Sequence, residues 1–257
     1  MNHATRIALA MLLVCLLVGS VACAPAAAPK NSALLTQVST YPALQLGLYA
    51  GDLTYAQLEQ YGDFGIGTFD GMDGEMIALD GKFYQAKADG SVRVADPASR
   101  APFATLNFFR ASRQARLTEP LQNYDQLKAY LNRYLPAANH PYAFKIAGTF
   151  AYLKVRSVPK QSEPFPPLPS VIAQQTTFEL QNRAGVLIGF WVPDYLASLN
   201  APGYHLHFLS DDRQHGGHLL EGSFAAATID INDLTQVAVI IPQNAAFQKA
   251  DFAQVPK

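Results

Sequence analysis

Apolar and polar residues alternate over residues 204–208, which is the period-two pattern of a strand with one face on the core and one face open. This alternation puts His205 and His207 on the same face. Residues 210–217 (SDDRQHGG) are rich in turn formers, so they predict a hairpin whose return strand begins at His218. His218 is therefore expected opposite the first two histidines.

Similar β-rich segments separated by turns run through the second half of the chain and predict an antiparallel β domain. The predicted strands lie at 177–180, 186–192, 225–231 and 237–241. Before them, residues 144–158 alternate well enough to predict one long strand. One face of that strand is expected to carry Phe150, Tyr152, Lys154 and Arg156.

The first half mixes helix and strand signals. Thr54 with Gln57 is a capping-box pattern that predicts a short helix over residues 55–61. Asp80-Gly81 predicts a two-residue hairpin between strands 76–79 and 82–85. A further strand is predicted at 104–109, and helical spacing before Pro136 predicts the longest helix, with its apolar face formed by Leu127, Tyr130, Leu131, Tyr134 and Leu135.

These elements predict a mixed α+β fold in two parts. Residues 34–158 form an N-terminal mixed sheet domain with helices, and residues 171–257 form a C-terminal antiparallel β domain that carries the three histidines. Residues 159–170 contain five prolines, which favour an extended connector because proline cannot join a strand ladder.

The N-terminus has the pattern of an export signal over residues 1–23, with a positively charged start and an apolar run at 7–22. Cys23, preceded by Ala22, also fits the lipid-bearing first residue of a bacterial lipoprotein. Residues 24–33 then form a flexible exit segment. The protein is expected to be exported, as a periplasmic, secreted or lipid-anchored protein, and to contact a membrane only through an anchor at Cys23.

Composition narrows the classes of partner. The 257 residues carry a formal net charge of −1, and Lys and Arg are scattered along the chain. The chain has no cluster of basic residues that would bind a phosphate backbone, so nucleic acid is not an expected partner. Both cysteines, Cys15 and Cys23, belong to the leader, so the exported domain must be stable without an internal disulfide.

Three imidazoles on two adjacent strands suit a catalytic metal ion. Residues two apart on a strand are separated by about 6.6 to 6.8 Å, close enough for His205 and His207 to share one ion with Zn–N bonds of about 2.0 to 2.1 Å. With His218 as third ligand, a tetrahedral zinc keeps one open position. The alternative is that the first pair are ordinary sheet residues facing the acidic loop. His215, at the loop tip, is expected to face solvent.

Two further side chains are candidates for chemistry. Glu75 stands at the start of a predicted strand, where it is either an acid or base or simply a solvated strand end. Arg156 suits bidentate capture of a carboxylate, although an arginine there can also be solvated with a buried stem. The glycines of residues 62–74 lack the spacing of a phosphate loop, and Asp70 and Asp73 fit turn positions.

Several motifs together resemble the α-acetolactate decarboxylase family over residues 35–241. They are, in chain order, GDFGIGT at 62–68, DGEM at 73–76, KFYQ at 82–85, VRSVPKQ at 155–161, PGYHLHF at 202–208 and GGH at 216–218. The resemblance implies that His205, His207 and His218 hold a zinc ion. It also implies active-site roles for Glu75 and Arg156, and a substrate contact for Thr68.

The resemblance further implies a C-terminal antiparallel, partly open β-barrel, a homodimer, and decarboxylation of 2-acetolactate to acetoin and carbon dioxide. One departure concerns the tail. The family has a glutamate there that approaches the metal, whereas this chain has no glutamate after Glu221 and only Asp251 as a tail acid. Participation of the tail in the site is therefore an open question.

Two other functions fit some of the same residues. A cupin-like metal oxygenase also opens its motif with H-x-H on a strand, but Asp211 stands where a glutamate is expected and the later histidine arrives too soon. An exported, non-enzymatic metal-binding protein would use the histidines alone. In that case Glu75 and Arg156 would have no role.

Overall fold

Two β-sheets, one of seven strands and one of five, dominate the structure. The computed structural model describes residues 30–255, and the sheets belong to one compact unit that begins at Asn31. In chain order, the first seven strands are β1 (Leu34–Val38), β2 (Leu53–Thr54), β3 (Phe64–Thr68), β4 (Glu75–Leu79), β5 (Lys82–Ala86), β6 (Val92–Val94) and β7 (Arg100–Ala101). The remaining seven are β8 (Phe103–Asn107), β9 (Arg113–Leu117), β10 (Tyr142–Ser157), β11 (Thr176–Val192), β12 (Gly203–Ser210), β13 (Gly216–Asp233) and β14 (Gln236–Ile240).

The seven-stranded sheet has the order β14-β1-β8-β3-β4-β5-β6. Its strands pair antiparallel except β14, which runs parallel to β1. The predicted hairpin between β4 and β5 is present, and Asp80 and Gly81 both have positive φ, as its two-residue turn requires. Strands β2 and β7 form a separate small pair.

The five-stranded sheet has the order β10-β11-β12-β13-β9 and is antiparallel throughout. Strand β13 also pairs with β10, so the strands β10, β11, β12 and β13 form a closed circuit of pairings. The predicted mixed α+β class is confirmed. The partly open barrel stays a prediction. The pairing of β13 with β10 is the observation relevant to it.

Residues 30–255 contain five short α-helices, four between strands and one after the last strand: α1 (Tyr41–Gln45), α2 (Tyr55–Leu58), α3 (Tyr124–Asn132), α4 (Leu168–Ile172) and α5 (Ala245–Lys249). The predicted capping box of Thr54 and Gln57 begins α2, although the helix ends at Leu58 rather than at 61. Helix α3 is the longest in the described part of the chain, as predicted. None of the helices in residues 30–255 has the length and apolar character needed to cross a membrane.

The two sheets do not follow the predicted division of the chain at residues 159–170. Strand β10 precedes the connector, yet it pairs with β11 and β13 in the sheet of the histidines. Strand β14 follows the connector, yet it joins the sheet of the first half. Pairing over long sequence distances decides both memberships, and local periodicity carries no information about it. The predicted leader, with Cys23 and most of the exit segment, lies outside the described residues.

Strand β10 also corrects the predicted face of Phe150. Its register against β13 shifts on both sides of Phe150. Such an irregularity moves the following side chains to the other face of the strand. Phe150 is therefore fully buried in the same apolar cluster as Leu153 and Val155, whereas Arg156 points away from that cluster.

The two faces of β12 contact different parts of the core. Leu206 and Phe208 belong to the apolar cluster inside the five-stranded sheet. Leu209 belongs to a second cluster, together with Ile66 and Ile77 of the seven-stranded sheet. Since side chains alternate along a strand, the face that carries Leu209 also carries the histidines at 205 and 207. That face is therefore turned toward the other sheet.

A close approach of backbone at Gly189 is needed for this arrangement. Gly189 lies opposite Leu206 in the β11–β12 ladder, and a Cβ atom there would overlap the carbonyl oxygen of His205. We expect Gly189→Ala to lower the free energy of unfolding by about 1 to 3 kcal/mol, as overpacking does. Urea denaturation measures the change. Gly81→Ala, whose Cβ meets nothing within 4 Å, serves as control and should cost only about 1 kcal/mol through its positive φ. Equal stability of Gly189→Ala and the wild type would contradict the close approach.

Candidate metal and active site

The predicted histidine hairpin is present, and its register brings the three imidazoles together. His207 and His218 are direct cross-strand partners in the β12–β13 ladder. His205 precedes His207 by two residues and therefore shares its face. The return strand begins at Gly216, two residues earlier than predicted. The histidines thus converge as the alternation pattern predicts.

The ring nitrogens are close enough to share one ion. His205 Nε2 lies 3.1 Å from His207 Nε2 and 3.0 Å from His218 Nδ1. Two nitrogens bound tetrahedrally to one zinc with bonds of about 2.05 Å are about 3.3 Å apart. The three histidines form a group whose ligand atoms all lie within 4.8 Å of one another. The arrangement fits a metal ion held by three imidazoles.

Hydrogen bonding assigns the roles of the two His207 nitrogens. Its Nδ1 lies 2.9 Å from the carbonyl oxygen of Met76, which can only accept a hydrogen bond. Nδ1 must therefore carry the hydrogen, and Nε2 keeps a lone pair directed at the other histidines. A backbone carbonyl that orients a ligating histidine is the usual outer partner of a metal site.

The surroundings keep the imidazoles neutral, which is the form that binds metals. Burial, with a smaller contribution from the nearby Arg156 guanidinium, lowers the pKa of His205 to about 3. Burial also lowers the pKa of His207, and electrostatic repulsion between protonated His205 and protonated His207 would add to the effect. The pKa of His218 is lowered by burial and then by Arg156.

Glu75 and Arg156 both reach the histidine cluster. Arg156 lies opposite His218 in the β10–β13 ladder. Its Nη1 donates a hydrogen bond of 2.5 Å to Glu75 Oε1, while Glu75 Oε2 lies 3.5 Å from His207 Nε2. Glu75 is only 4% exposed and the Arg156 side chain 13%, so neither is a solvated strand end. Burial raises the pKa of Glu75, and the Arg156 charge opposes that rise.

Thr68 is a direct neighbour of Glu75 across the β3–β4 ladder and is 3% exposed. Its hydroxyl donates a 2.7 Å hydrogen bond to the carbonyl oxygen of Gly74. That bond uses the only hydroxyl hydrogen, so the side chain can offer a ligand only its lone pairs. Thr68 therefore also supports the turn that precedes Glu75.

A cavity of about 360 Å³ adjoins the cluster. Its polar lining includes Thr68, Glu75, Arg156, His205 and His218. Apolar residues of α1, α4 and neighbouring segments form much of the remaining wall, among them Tyr41, Leu44, Met72, Phe103, Leu168, Ile172 and Leu220. The sequence did not reveal the contribution of α1 and α4, because apolar residues in short helices carry no signal that separates a cavity wall from ordinary core.

Two other candidates lie away from this cavity. The residues that line the cavity lie between Tyr41 and Leu220 in the sequence. Asp251 is exposed, and its carboxylate accepts a hydrogen bond from the backbone amide of Ala253. His215 is half-buried, with Nδ1 3.8 Å from Asp212, and is not a member of the histidine group.

We expect replacement of a ligating histidine to remove the metal. In His205→Gln, His207→Gln or His218→Gln, a tetrahedral site loses one of three imidazoles, so bound metal should fall from about one per chain to a small fraction. Elemental analysis after dialysis measures it. His215→Gln, in the same hairpin, is the matched control and should retain its metal. Full occupancy in all three variants would show that the cluster is not the metal site.

The chain matches a known family over most of its length. The family model described as alpha-acetolactate decarboxylase matches residues 35–254. An alpha-acetolactate decarboxylase from Methanosarcina mazei is 42% identical over 224 residues, which cover 87% of this chain and 77% of the relative. One from Methylococcus capsulatus is 40% identical over 218 residues, covering 85% of this chain and 84% of the relative.

The fold matches solved structures of similar proteins. The crystal structure of alpha-acetolactate decarboxylase from Bacillus subtilis strain 168 aligns with a TM-score of 0.83 and 32% identity, covering 85% of this chain and 93% of that one. A Staphylococcus aureus protein described as similar to alpha-acetolactate decarboxylase aligns with a TM-score of 0.83 and 31% identity, covering 86% and 96% of the two chains.

Proposed function

Because the chain belongs to the alpha-acetolactate decarboxylase family and is therefore a carboxy-lyase, we propose that it converts 2-acetolactate to acetoin and carbon dioxide at a zinc ion. His205, His207 and His218 would hold the zinc. The observation that carries the proposal is the convergence of these imidazoles with the buried pair of Glu75 and Arg156 at one cavity.

The substrate explains why such a set of groups is needed. Acetolactate is a β-keto acid with a hydroxyl beside the keto group, and loss of carbon dioxide leaves negative charge on the keto oxygen. A zinc ion bound here would supply Lewis-acid stabilisation of that charge, with the keto and hydroxyl oxygens as its ligands. This chemistry needs no organic cofactor. The histidines contribute by holding three neutral nitrogens in a fixed arrangement.

Arg156 is suited to bind the substrate carboxylate. A guanidinium has five N–H donors, so Arg156 can hold Glu75 through Nη1 and still offer other donors to the cavity. Holding the carboxylate fixes the direction of the breaking bond, which is positioning rather than acid–base catalysis. The carboxylate has to be released from this contact as it becomes carbon dioxide.

Glu75 is suited to deliver a proton to the carbon that loses carbon dioxide. Its burial favours the protonated acid, while the guanidinium of Arg156 favours the carboxylate, so both forms are accessible. Because β4 and its neighbours hold Glu75 at one side of the cavity, the proton would reach one face of the intermediate. Such delivery would produce one enantiomer of acetoin. The lone pairs of Thr68 could accept from the substrate hydroxyl.

The two rival functions account for fewer of these features. An oxygenase of the cupin-like kind would require a glutamate where this chain has Asp211 and a later return histidine than His218. A protein that only sequesters metal would not need Glu75 and Arg156 buried together beside a cavity. Homodimer formation and export stay predictions.

The proton-donor role of Glu75 predicts a large effect of Glu75→Gln. The amide keeps the shape but cannot transfer the proton, so kcat for acetoin formation should fall about 10²- to 10⁴-fold. Acetoin and carbon dioxide are followed with zinc-loaded protein. Glu221→Gln, an exposed strand residue that contacts Lys154 at 3.7 Å, is the control and should keep wild-type kcat. Full activity of Glu75→Gln would remove Glu75 from the mechanism.

Carboxylate binding by Arg156 predicts that lysine cannot replace it. Arg156→Lys keeps the positive charge but loses the planar set of donors, so kcat/KM should fall at least about tenfold. Steady-state kinetics with acetolactate measure the change. Arg183→Lys, on strand β11 with a 3.8 Å contact to Asp212, makes the same replacement away from the cavity. An equal effect of both replacements would argue against a carboxylate contact at Arg156.

A further inference from the structure

The turn before Glu75 is strained and has to be held in place. Gly71, Met72 and Gly74 all have positive φ, at 67°, 58° and 89°. For Met72 this left-handed conformation is unfavourable, and such strain persists only where the surrounding structure enforces it. Glu75 follows directly, so its position depends on the turn as well as on its ladder pairs with Thr68 and Ala86.

Two buried side chains hold the turn by its carbonyl oxygens. Thr68 donates to the oxygen of Gly74, as described above. On the other side, Gln85 of strand β5 donates from Nε2 to the oxygen of Asp73 at 2.5 Å. Gln85 is 3% exposed, so its amide has little access to water as an alternative partner. Consecutive carbonyl groups of the turn are thus held from two strands.

The orientation of the Gln85 amide is itself fixed. Arg93, its direct partner in the β5–β6 ladder, donates from Nε to Gln85 Oε1 at 2.9 Å. An arginine cannot accept, so the amide oxygen must face Arg93 and the amide nitrogen must face Asp73. Lys87 adds an ion pair to the Asp73 carboxylate at 3.2 Å. These contacts connect exposed Arg93 through Gln85 to Asp73, the residue before Gly74.

We propose that Gln85, oriented by Arg93, is a positioning residue for Glu75. The inference rests on the proposed function, because it assumes that Glu75 delivers the proton. By fixing the Asp73 carbonyl, Gln85 limits rotation of the Asp73–Gly74 segment and keeps the Glu75 carboxyl at one face of the cavity. Gln85 itself is not among the residues that line the cavity. Its loss should therefore affect proton delivery more than substrate binding.

The main test is the isosteric variant Gln85→Glu, with Arg93→Ala as the second variant. The glutamate keeps the contact with Arg93 but replaces the amide donor by an oxygen that repels the Asp73 carbonyl. We expect kcat to fall about ten- to a hundredfold, as for a small misplacement of a reacting group, with KM within about threefold. The acetoin should become a mixture of enantiomers. Arg93→Ala, at an exposed position, should fold normally and show a smaller change in the same direction.

The control is Arg100→Ala. Arg100 also donates to a backbone carbonyl, but to that of Asp52 at 3.0 Å rather than to that of Asp73. Its variant should keep wild-type kcat and a single acetoin enantiomer. Chiral chromatography of the product and bound-zinc analysis accompany the kinetics for all variants. The enantiomer ratio is the decisive measurement. A purely structural loss of active protein would lower kcat but would leave the enantiomer ratio unchanged.

The outcomes separate the two proposals. Low kcat with mixed enantiomers and normal zinc content would support positioning by Gln85. Wild-type kcat and product in Gln85→Glu, or a defect that added zinc fully restores, would overturn the inference and leave the proposed function intact. A zinc-loaded wild type that does not accelerate acetolactate decarboxylation would overturn the proposed function and the inference with it.

Discussion

The hydrogen bond between His207 Nδ1 and the carbonyl oxygen of Met76 connects the two sheets at the site. His207 lies on β12 of the five-stranded sheet, and Met76 directly follows Glu75 on β4 of the seven-stranded sheet. One contact therefore fixes the orientation of an imidazole and its distance from the acid. The apolar contacts of Leu209 with the cluster of Ile66 and Ile77 hold the same two surfaces together. The packing between the two sheets therefore also sets the geometry of the site.

Electrostatics at the site depends on burial. A buried carboxylate or guanidinium alone would be costly, and the pairing of Glu75 with Arg156 offsets that cost. The three imidazoles stay neutral for the same reason, because burial disfavours their charged forms. A divalent cation among them would then meet three lone pairs and one neighbouring carboxylate. The three histidines could therefore hold a metal ion, and the opposite charges of the neighbouring Glu75 and Arg156 offset each other.

Local patterns in the sequence were sufficient for the histidine hairpin. Alternation over residues 204–208 placed His205 and His207 on one face, and the turn-forming run placed His218 opposite them. The importance of Glu75 and Arg156 came from the resemblance to a family, since the residues alone favoured a solvated strand end for Glu75 and left Arg156 undecided. Burial of both was decided by contacts between residues 81 positions apart, which no local pattern records.

The failures of sequence reasoning have the same origin. Strand β10 was assigned to the first half of the chain because the prolines after it suggested a boundary, yet its ladders join it to β11 and β13. Phe150 was placed beside Arg156 because a regular alternation was assumed, and an irregularity of register put it in the core. Helix α4, inside and after the proline-rich segment, became part of the cavity wall. The first error concerns long-range pairing and the second a local break in periodicity, whereas α4 was missed because its apolar residues look like ordinary core.

The central claim is that acetolactate is decarboxylated at one metal ion held by the three histidines. The most direct measurement is a titration of metal-free full-length protein with zinc, in which acetoin formation from acetolactate is followed at each addition. The account predicts that activity is absent at the start, rises in proportion to zinc, and levels off at about one zinc per chain, as a single three-histidine site requires. Full activity before zinc is added would contradict the account. So would a protein that binds zinc but forms no acetoin at any zinc concentration.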